Sequence, residues 1–302
     1  MSSQNVKLKN PNLGLRVVGV RYRGSRPDYE DERCLDGYAA SGVYAAAGLP
    51  FGIVEPAMPE ALRRPDEPDN LGLIGGAIAE AVAEARRAGQ LVLMTGGDCS
   101  HITGVLGGLQ DAHGPQARIG LVWFDAHGDF NTPHTTLSGM LGGMPVAVAA
   151  GLAYPFWREQ SHIVAPLPTN RIIMVDVRNL DAPEEQLIRA TDIQIARVAP
   201  GFNGDVVLQD AITTLADSCD YIYLHIDSDI LDIRYVPNHG TAEPNGPDMA
   251  QVQAATRMVM ETGKVVAFAV VSVYGKGEGS DICRASGIEL VRAGLEAWAS
   301  GS

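Results

Sequence analysis

Cysteine is scarce in this chain of 302 residues. Cys34, Cys99, Cys219 and Cys283 stand far apart and form no Cys-x-x-Cys pair. That excludes a disulfide framework in a chain of this length. Cations are outnumbered, with 23 Lys and Arg against 36 Asp and Glu for a net charge of −13, and they form no basic run. Nothing could track a phosphate backbone, so nucleic acid is not an expected partner. No uncharged apolar run approaches the roughly 20 residues of a membrane span. The opening Met1-Ser2-Ser3-Gln4-Asn5-Val6-Lys7 has no apolar signal core. The expectation is a cytoplasmic protein. No repeat, low-complexity tract or clear linker breaks the chain, which predicts a single domain over residues 1–302. The acidic balance would draw cationic ligands such as a guanidinium or an amine, although it serves solubility equally well.

What the chain does contain is a series of short apolar, β-branched runs between helical stretches. Leu15–Val20, Leu91–Met94, Ile119–Phe124, Ile172–Val177, Tyr221–Ile226 and Val265–Val273 read as buried strands. Leu71–Ala88 has apolar spacing of three and four and reads as an amphipathic helix, and Ile288–Ala299 as a terminal one. Continuous apolar strands alternating with helices predict an α/β fold whose parallel sheet is covered on both faces. Sites in such sheets form at the carboxyl ends of the strands.

Two acidic runs lie at those ends. Trp123-Phe124-Asp125-Ala126-His127-Gly128-Asp129-Phe130-Asn131 follows one strand, and Asp227-Ser228-Asp229 follows another. On an extended chain, residues at i, i+2 and i+4 face one way. Asp125, His127 and Asp129 would then converge on one point, and Asp227 and Asp229 on another. Four clustered carboxylates repel one another and are costly to desolvate unless cations neutralise them. A divalent metal site is the simplest resolution, against a fully satisfied buried polar network without metal. Five ligands exceed a single catalytic zinc and suit two metals sharing a bridging carboxylate.

The combination of Gly96-Gly97-Asp98-Cys99-Ser100, Asp125-Ala-His127-Gly-Asp129-Phe-Asn131 and Asp227-Ser-Asp229-Ile-Leu-Asp232 resembles the ureohydrolases, the family of arginase and agmatinase. The resemblance covers roughly residues 90–275, in the family's order. It implies a three-layer α/β/α arginase-like fold with a mainly parallel sheet of about eight strands. It implies a binuclear manganese site that activates a bridging hydroxide against a guanidinium carbon. It also implies a homo-oligomer, trimer or hexamer, or a hetero-oligomer with a homologous subunit. Asp125 and Asp227 match carboxylates touching both metals, His127 and Asp229 ligands of one metal, and Asp129 a ligand of the other that also holds the hydroxide. Asn131, Thr136 and Ser138 match polar positions of the substrate loop. Asp181 matches an acid near the substrate's amino end.

Three positions depart from the family pattern. Cys99 stands where a metal-binding histidine is usual. Gly142 stands where arginases carry a proton-shuttling histidine. Ser272 falls near a guanidinium-binding glutamate. A thiolate at Cys99 would favour nickel, cobalt or zinc over manganese, but a small buried cysteine without a role is equally common. His101 could supply the missing imidazole on an extended chain, but Ser100 reads as a helix N-cap that would turn it aside. His225 shares the face of Asp227 and could orient a ligand from behind, or be a hydrogen-bonded core histidine. His134 and His239, on loops expected to rim the pocket, are candidates for the proton donor that Gly142 cannot be, or exposed loop histidines. Glu243, in the turn-rich loop Pro237–Pro247, is a candidate for binding a cationic substrate. The tract Gly275-Lys-Gly-Glu-Gly-Ser280 lacks the spacing of a phosphate loop.

Two functions compete. One is a metal-dependent hydrolase of C–N bonds in a guanidine or linear amidine other than arginine. The other is a catalytically silent subunit that supports an active homologue, for example in a heteromeric hydrolase of N-substituted guanidines or biguanides. Retention of all five Asp and His ligands favours the first.

Overall fold

The apolar runs build one sheet. A computed structural model, which describes residues 14–198 and 206–301, gives strands β1 (Leu15–Val20), β2 (Tyr22–Arg23), β3 (Arg26–Pro27), β4 (Phe51–Val54), β5 (Leu91–Gly96), β6 (Ile119–Phe124), β7 (Ile172–Val175), β8 (Gln194–Arg197), β9 (Val206–Val207), β10 (Tyr221–Asp227) and β11 (Val265–Val271). Nine of them form a single sheet in the order β4-β1-β5-β11-β10-β6-β7-β8-β9, and every neighbouring pair is parallel. The family resemblance implies about eight strands, and the sheet has nine; β4, β8 and the two-residue edge β9 are the ones not read from apolar runs. β2 and β3 make a separate antiparallel ribbon. The opening run Met1–Lys7 lies outside the described residues. Among the described residues no helix is long and apolar enough to cross a membrane.

Helices α1 (Leu35–Ser41), α2 (Glu67–Arg87), α3 (Ile102–His113), α4 (Pro145–Ala149), α5 (Pro155–Gln160), α6 (Ala182–Arg189), α7 (Leu208–Ser218), α8 (Met249–Met260) and α9 (Ser280–Gly301) cover the sheet. Alternate side chains of the central strands feed two cores. Val122, Phe124, Leu224 and Ile226 pack with Ile212 of α7, Val252 of α8 and Leu290 of α9. Leu121, Trp123 and Tyr223 pack with Ile78 of α2, Val105 of α3 and Ile188 of α6. This is the three-layer α/β/α arrangement. α2 and α3 lie close because a Cβ at Gly104 would come within 2.6 Å of the Gly75 carbonyl, so only glycine permits the approach.

Several boundaries differ from those the sequence predicts, for local backbone reasons. The run Val265–Val273 stops pairing at Val271, because Ser272 turns into the left-handed region at φ 57°. Ile172–Val177 ends at Val175, before Asp176 at φ 63°. Side chains at positive φ are rare and confined to turns or constrained sites. The terminal helix begins at Ser280 rather than Ile288, so the Gly275–Ser280 tract leads into it.

The order of the sheet decides where the site forms. β5, β11, β10 and β6 are adjacent at its centre, with His225 beside Trp123 and Ile226 beside Phe124 in register. Their carboxyl ends therefore present Gly97–Cys99, Ser272, Asp227 and Asp125 side by side.

Candidate metal centre

The two acidic runs, predicted to mark two points, meet at one. They are separated by about a hundred residues in sequence, but β10 and β6 are neighbours. The Asp229 Oδ2 lies 3.2 Å from His127 Nδ1, and Asp229 Oδ1 accepts from the Ala126 amide at 3.3 Å. The alternating geometry expected of residues 125–129 does not form either. Pairing ends at Phe124, and Asp129 sits at φ 45°. A turn, not a strand, places these side chains.

Three overlapping groups of ligand atoms lie within 4.8 Å of one another: Cys99 with Asp125 and Asp227, Asp125 with His127 and Asp229, and Asp227 with Asp229 and His239. Asp125 belongs to the first two and Asp227 to the first and third. Asp129, predicted as a ligand, lines the same cavity but belongs to none of these groups. His239, predicted as a proton donor, is instead buried in the third group, 3.2 Å from Asp227 Oδ1. Its Nε2 lacks hydrogen-bond geometry to any partner. A buried ring nitrogen of that kind needs an acceptor or a cation. Together with an all carboxylate, imidazole and thiol donor set, it fits divalent cations.

Electrostatics point the same way. Burial, then Asp229 and Asp129, push the Asp125 carboxyl well above its usual range. Burial also raises Asp129, against the pull of His127. Burial alone would lower His127, but hydrogen bonds to Asp125 and Asp229 win and push it up to about 12. Burial would likewise raise Asp227, yet His239 holds it below its usual range. Uncompensated carboxylates are thus borrowing protons that cations would replace.

Cys99 sits on the 3-10 turn Cys99–His101, with Sγ 2.9 Å from Asp227 Oδ2 and 3.5 Å from both Asp125 Oδ2 and His225 Nε2. Burial, Asp227 and Asp125 push its thiol well up, whereas a coordinating thiol is deprotonated outright. The turn is capped by Asp98, not by Ser100 as predicted, and His101 closes the capping box. His101 is turned aside, with Nδ1 on the Asp98 amide and Nε2 on the Gly24 carbonyl. His225 is stacked on Trp123 at 4.2 Å and bonded through Nδ1 to the Tyr223 hydroxyl at 2.8 Å.

Burial pulls His225 down to about 3 from the ordinary 6.5, so it folds neutral. Its contribution to stability is complete above pH 6.5 and is lost as pH falls from there toward about 3, at about 1.4 kcal/mol per pH unit for one proton. His225→Gln should therefore flatten the pH dependence of urea stability across this window in chelated protein. An unchanged slope would show that His225 is not the group being protonated.

The cavity above this floor has a volume of about 420 Å³. Asn131, Ser138 and Asp181 line it. Asn131 Nδ2 donates to Asp181 Oδ2 at 3.2 Å, and the Leu137 amide donates to the same oxygen at 3.1 Å. Thr136 does not line it, and its hydroxyl accepts from the Gly139 amide at 2.9 Å. His134 is exposed and off the cavity, so the structure does not bring it to the reacting centre. Glu243 stands behind His127, with Oε1 3.7 Å from its Nε2 and bonded to Asn179.

Sequence reasoning passed over Thr241, whose hydroxyl donates to Asp229 Oδ2 at 3.0 Å, and Glu184, which accepts from the Phe130 amide at 2.9 Å. It also passed over Arg178, which ties the Asp229 carbonyl at 2.9 Å, and the wall residues Arg33 and Tyr274. No motif marks these residues, because their partners are distant in the chain.

Comparison with known proteins follows the same lines. The family model described as "Arginase family" matches residues 61–293. An arginase of Bacillus caldovelox is 30% identical over 186 residues, 61% of this chain and 61% of the relative. The match thus spans about three fifths of that relative's length. The crystal structure of Entamoeba histolytica arginase in complex with L-ornithine superposes with a TM-score of 0.80 at 21% identity, covering 93% of this chain and 98% of that one. Formimidoylglutamase from Bacillus subtilis superposes at a TM-score of 0.69 and 14% identity, covering 95% and 87%.

Proposed function

This chain belongs to the arginase family, and from that premise we propose that it is a metal-dependent hydrolase of C–N bonds in a small guanidine or linear amidine. The observation that carries the reading is the convergence of Cys99, Asp125, His127, Asp227, Asp229 and His239 on the floor of one cavity. Asp125, Asp227 and Asp229, each shared between groups, would hold two divalent cations. Bound there, such cations would supply a water-derived nucleophile near neutral pH.

The chain's own residues do the rest. Thr241 and Arg178 fix Asp229 in place. Glu184, through the Phe130 amide, holds the turn that carries Asp129. Asp129, buried at the cavity wall, takes the proton released as water adds to the amidine carbon. Its carboxyl returns that proton to the departing nitrogen, and the C–N bond breaks to give an amine and a urea or amide. Asp129 takes this role because His134 is off the cavity and His239 sits among the ligands. The acidic walls, with Asp181 and Asn131, favour a cationic head. Relatives named arginase and formimidoylglutamase indicate that the fold tolerates different groups on the reacting carbon.

The test is amine release from a panel of guanidines and amidines by metal-loaded protein. Loss on chelation and return on reloading support the proposal. A chain that holds two metals yet turns over nothing sinks it. It would favour the silent-subunit reading, which the departures at Cys99, Gly142 and Ser272 motivate. Mass in solution and any co-purified homologue would then identify the assembly.

Cys99 makes a separate prediction. Its softness should make nickel, cobalt or zinc bind in preference to manganese. Cys99→His should shift that order toward manganese, read by elemental analysis after competition loading. Identical metal content in the two proteins would reduce Cys99 to packing.

A further inference from the structure

Behind Cys99 lies a hydrogen-bond chain that the hydrolytic step does not use. Tyr223, His225 and Asp227 alternate along β10 and so face the same way. Tyr223 and His225 are fully buried, and the His225 ring lies flat on Trp123 of the neighbouring strand, 4.2 Å between centres and 5° between planes. Among the described residues the ring makes two hydrogen-bond contacts, Nδ1 with the Tyr223 hydroxyl at 2.8 Å and Nε2 with Cys99 Sγ at 3.5 Å. Neither partner is a carboxylate. An imidazolium there would be a buried charge without a counterion, so the ring is neutral and carries one N–H. Counting hydrogens fixes which nitrogen holds it. Among the described residues the Tyr223 O–H has no acceptor other than Nδ1. A proton on Nδ1 would leave that buried hydroxyl hydrogen unplaced. The hydroxyl therefore donates to Nδ1, and the ring N–H sits on Nε2 and points at sulfur. The Cys99 S–H has its own acceptor, Asp227 Oδ2 at 2.9 Å. Every hydrogen from Tyr223 through His225 and Cys99 to Asp227 then has one place to go. Outer contacts of this kind orient metal ligands and tune them. A cysteine that only filled space would need no donor behind it.

We propose that His225 is a positioning residue whose Nε2–H donates to the Cys99 sulfur, with Tyr223 fixing the tautomer, and that this chain holds Cys99 as a thiolate ligand of a divalent cation. This rests on the metal-centre part of the hydrolase reading and not on its hydrolytic step. A thiolate acceptor would strengthen the N–H bond, since hydrogen bonds to ionised partners are roughly twice as strong as neutral ones.

The experiment loads the whole chain, stripped by chelation, with cobalt(II) and reads the sulfur-to-cobalt charge-transfer absorbance. Wild type should show the band, and Cys99→Ser should lose it. A hydrogen-bond donor lowers the energy of the sulfur lone pairs and so tunes the metal–sulfur electronics. Removing it in His225→Leu should therefore move the band to longer wavelength and weaken cobalt binding roughly 10- to 100-fold. His225→Gln, which can return an N–H, should fall between the two. Tyr223→Phe leaves the ring free to take either tautomer, and its band should move the same way by less. A packing role for His225 would not shift the band. Cobalt-loaded wild type without the band, or His225→Leu with the band and affinity of wild type, overturns the proposal. If His225→Leu does not fold by circular dichroism, Tyr223→Phe decides, and an unmoved band overturns it. Wild type that takes up no cobalt fails the metal centre and this assignment together. A band that shifts as expected in a chain that turns over no guanidine or amidine fails the hydrolase reading and leaves this one standing. Turnover by a cobalt-loaded chain without the band does the reverse.

Discussion

Asp125→Ala is expected to abolish metal binding at the centre. Asp125 belongs to two of the three ligand groups, so one substitution breaks both. The loss should exceed the roughly 10- to 100-fold that follows from removing a supporting hydrogen bond alone. Thermal unfolding provides the readout. A ligand at 100 times its Kd stabilises the folded state by about 2.7 kcal/mol, so added metal should raise the Tm of wild type clearly. The same metal should leave Asp125→Ala unmoved. The metal-free mutant is not expected to be weak, because removing Asp125 also relieves its repulsion with Asp229 and Asp129. A mutant with full metal content and a wild-type metal-induced shift would sink the centre as described. Asp181→Ala, which lines the cavity but belongs to none of the ligand groups, should retain both, which separates ligand loss from general damage.

Arginine is expected to be a poor substrate, turned over by roughly 10²- to 10⁴-fold less than the best guanidine or amidine of the panel, the range that general acid catalysis contributes. Gly142 lines the cavity where the resemblance expects a proton-shuttling histidine. Ser272, near the position of a guanidinium-binding glutamate, is held at the strand end by its amide on the Gly97 carbonyl at 3.2 Å. The measurement is kcat/KM for arginine against the panel, and Gly142→His gives the complementary arm. A Cβ at Gly142 meets no atom within 4 Å, so the substitution is accommodated and should raise the rate on arginine. Brisk release of urea from arginine by the unmodified, metal-loaded chain would refute the expectation.

The legible parts of the fold were those whose physics is local. β6 and β10 are continuous apolar runs because both faces of a central parallel strand are buried, and their positions follow from composition. β8 (Gln194–Arg197) is half polar, and β4 (Phe51–Val54) is an apolar run of only four residues broken by Gly52, so neither stands out as a buried strand. α3 holds Gly104, Gly107 and Gly108 in twelve residues. Propensity argues against a helix there, and packing against α2 overrides it.

The site divides in the same way. Asp125, His127, Asp227 and Asp229 were legible as candidate metal ligands, because carboxylates crowded at the ends of apolar strands call for cations in any fold. The period-two argument that grouped them was wrong in detail, since Asp129 leaves the strand geometry at φ 45°. That both acidic runs form one centre depended on β10 lying beside β6, and it is register rather than local pattern that joins them. His239, Thr241, Arg33 and Tyr274 come from loops whose partners are distant in the chain. An isolated histidine or arginine in a polar loop reads the same whether it faces solvent or a metal centre. Composition and spacing determined the chemistry available at the strand ends. The tertiary structure decided which groups share it, because burial and the choice of neighbour are properties of contacts between segments far apart in sequence.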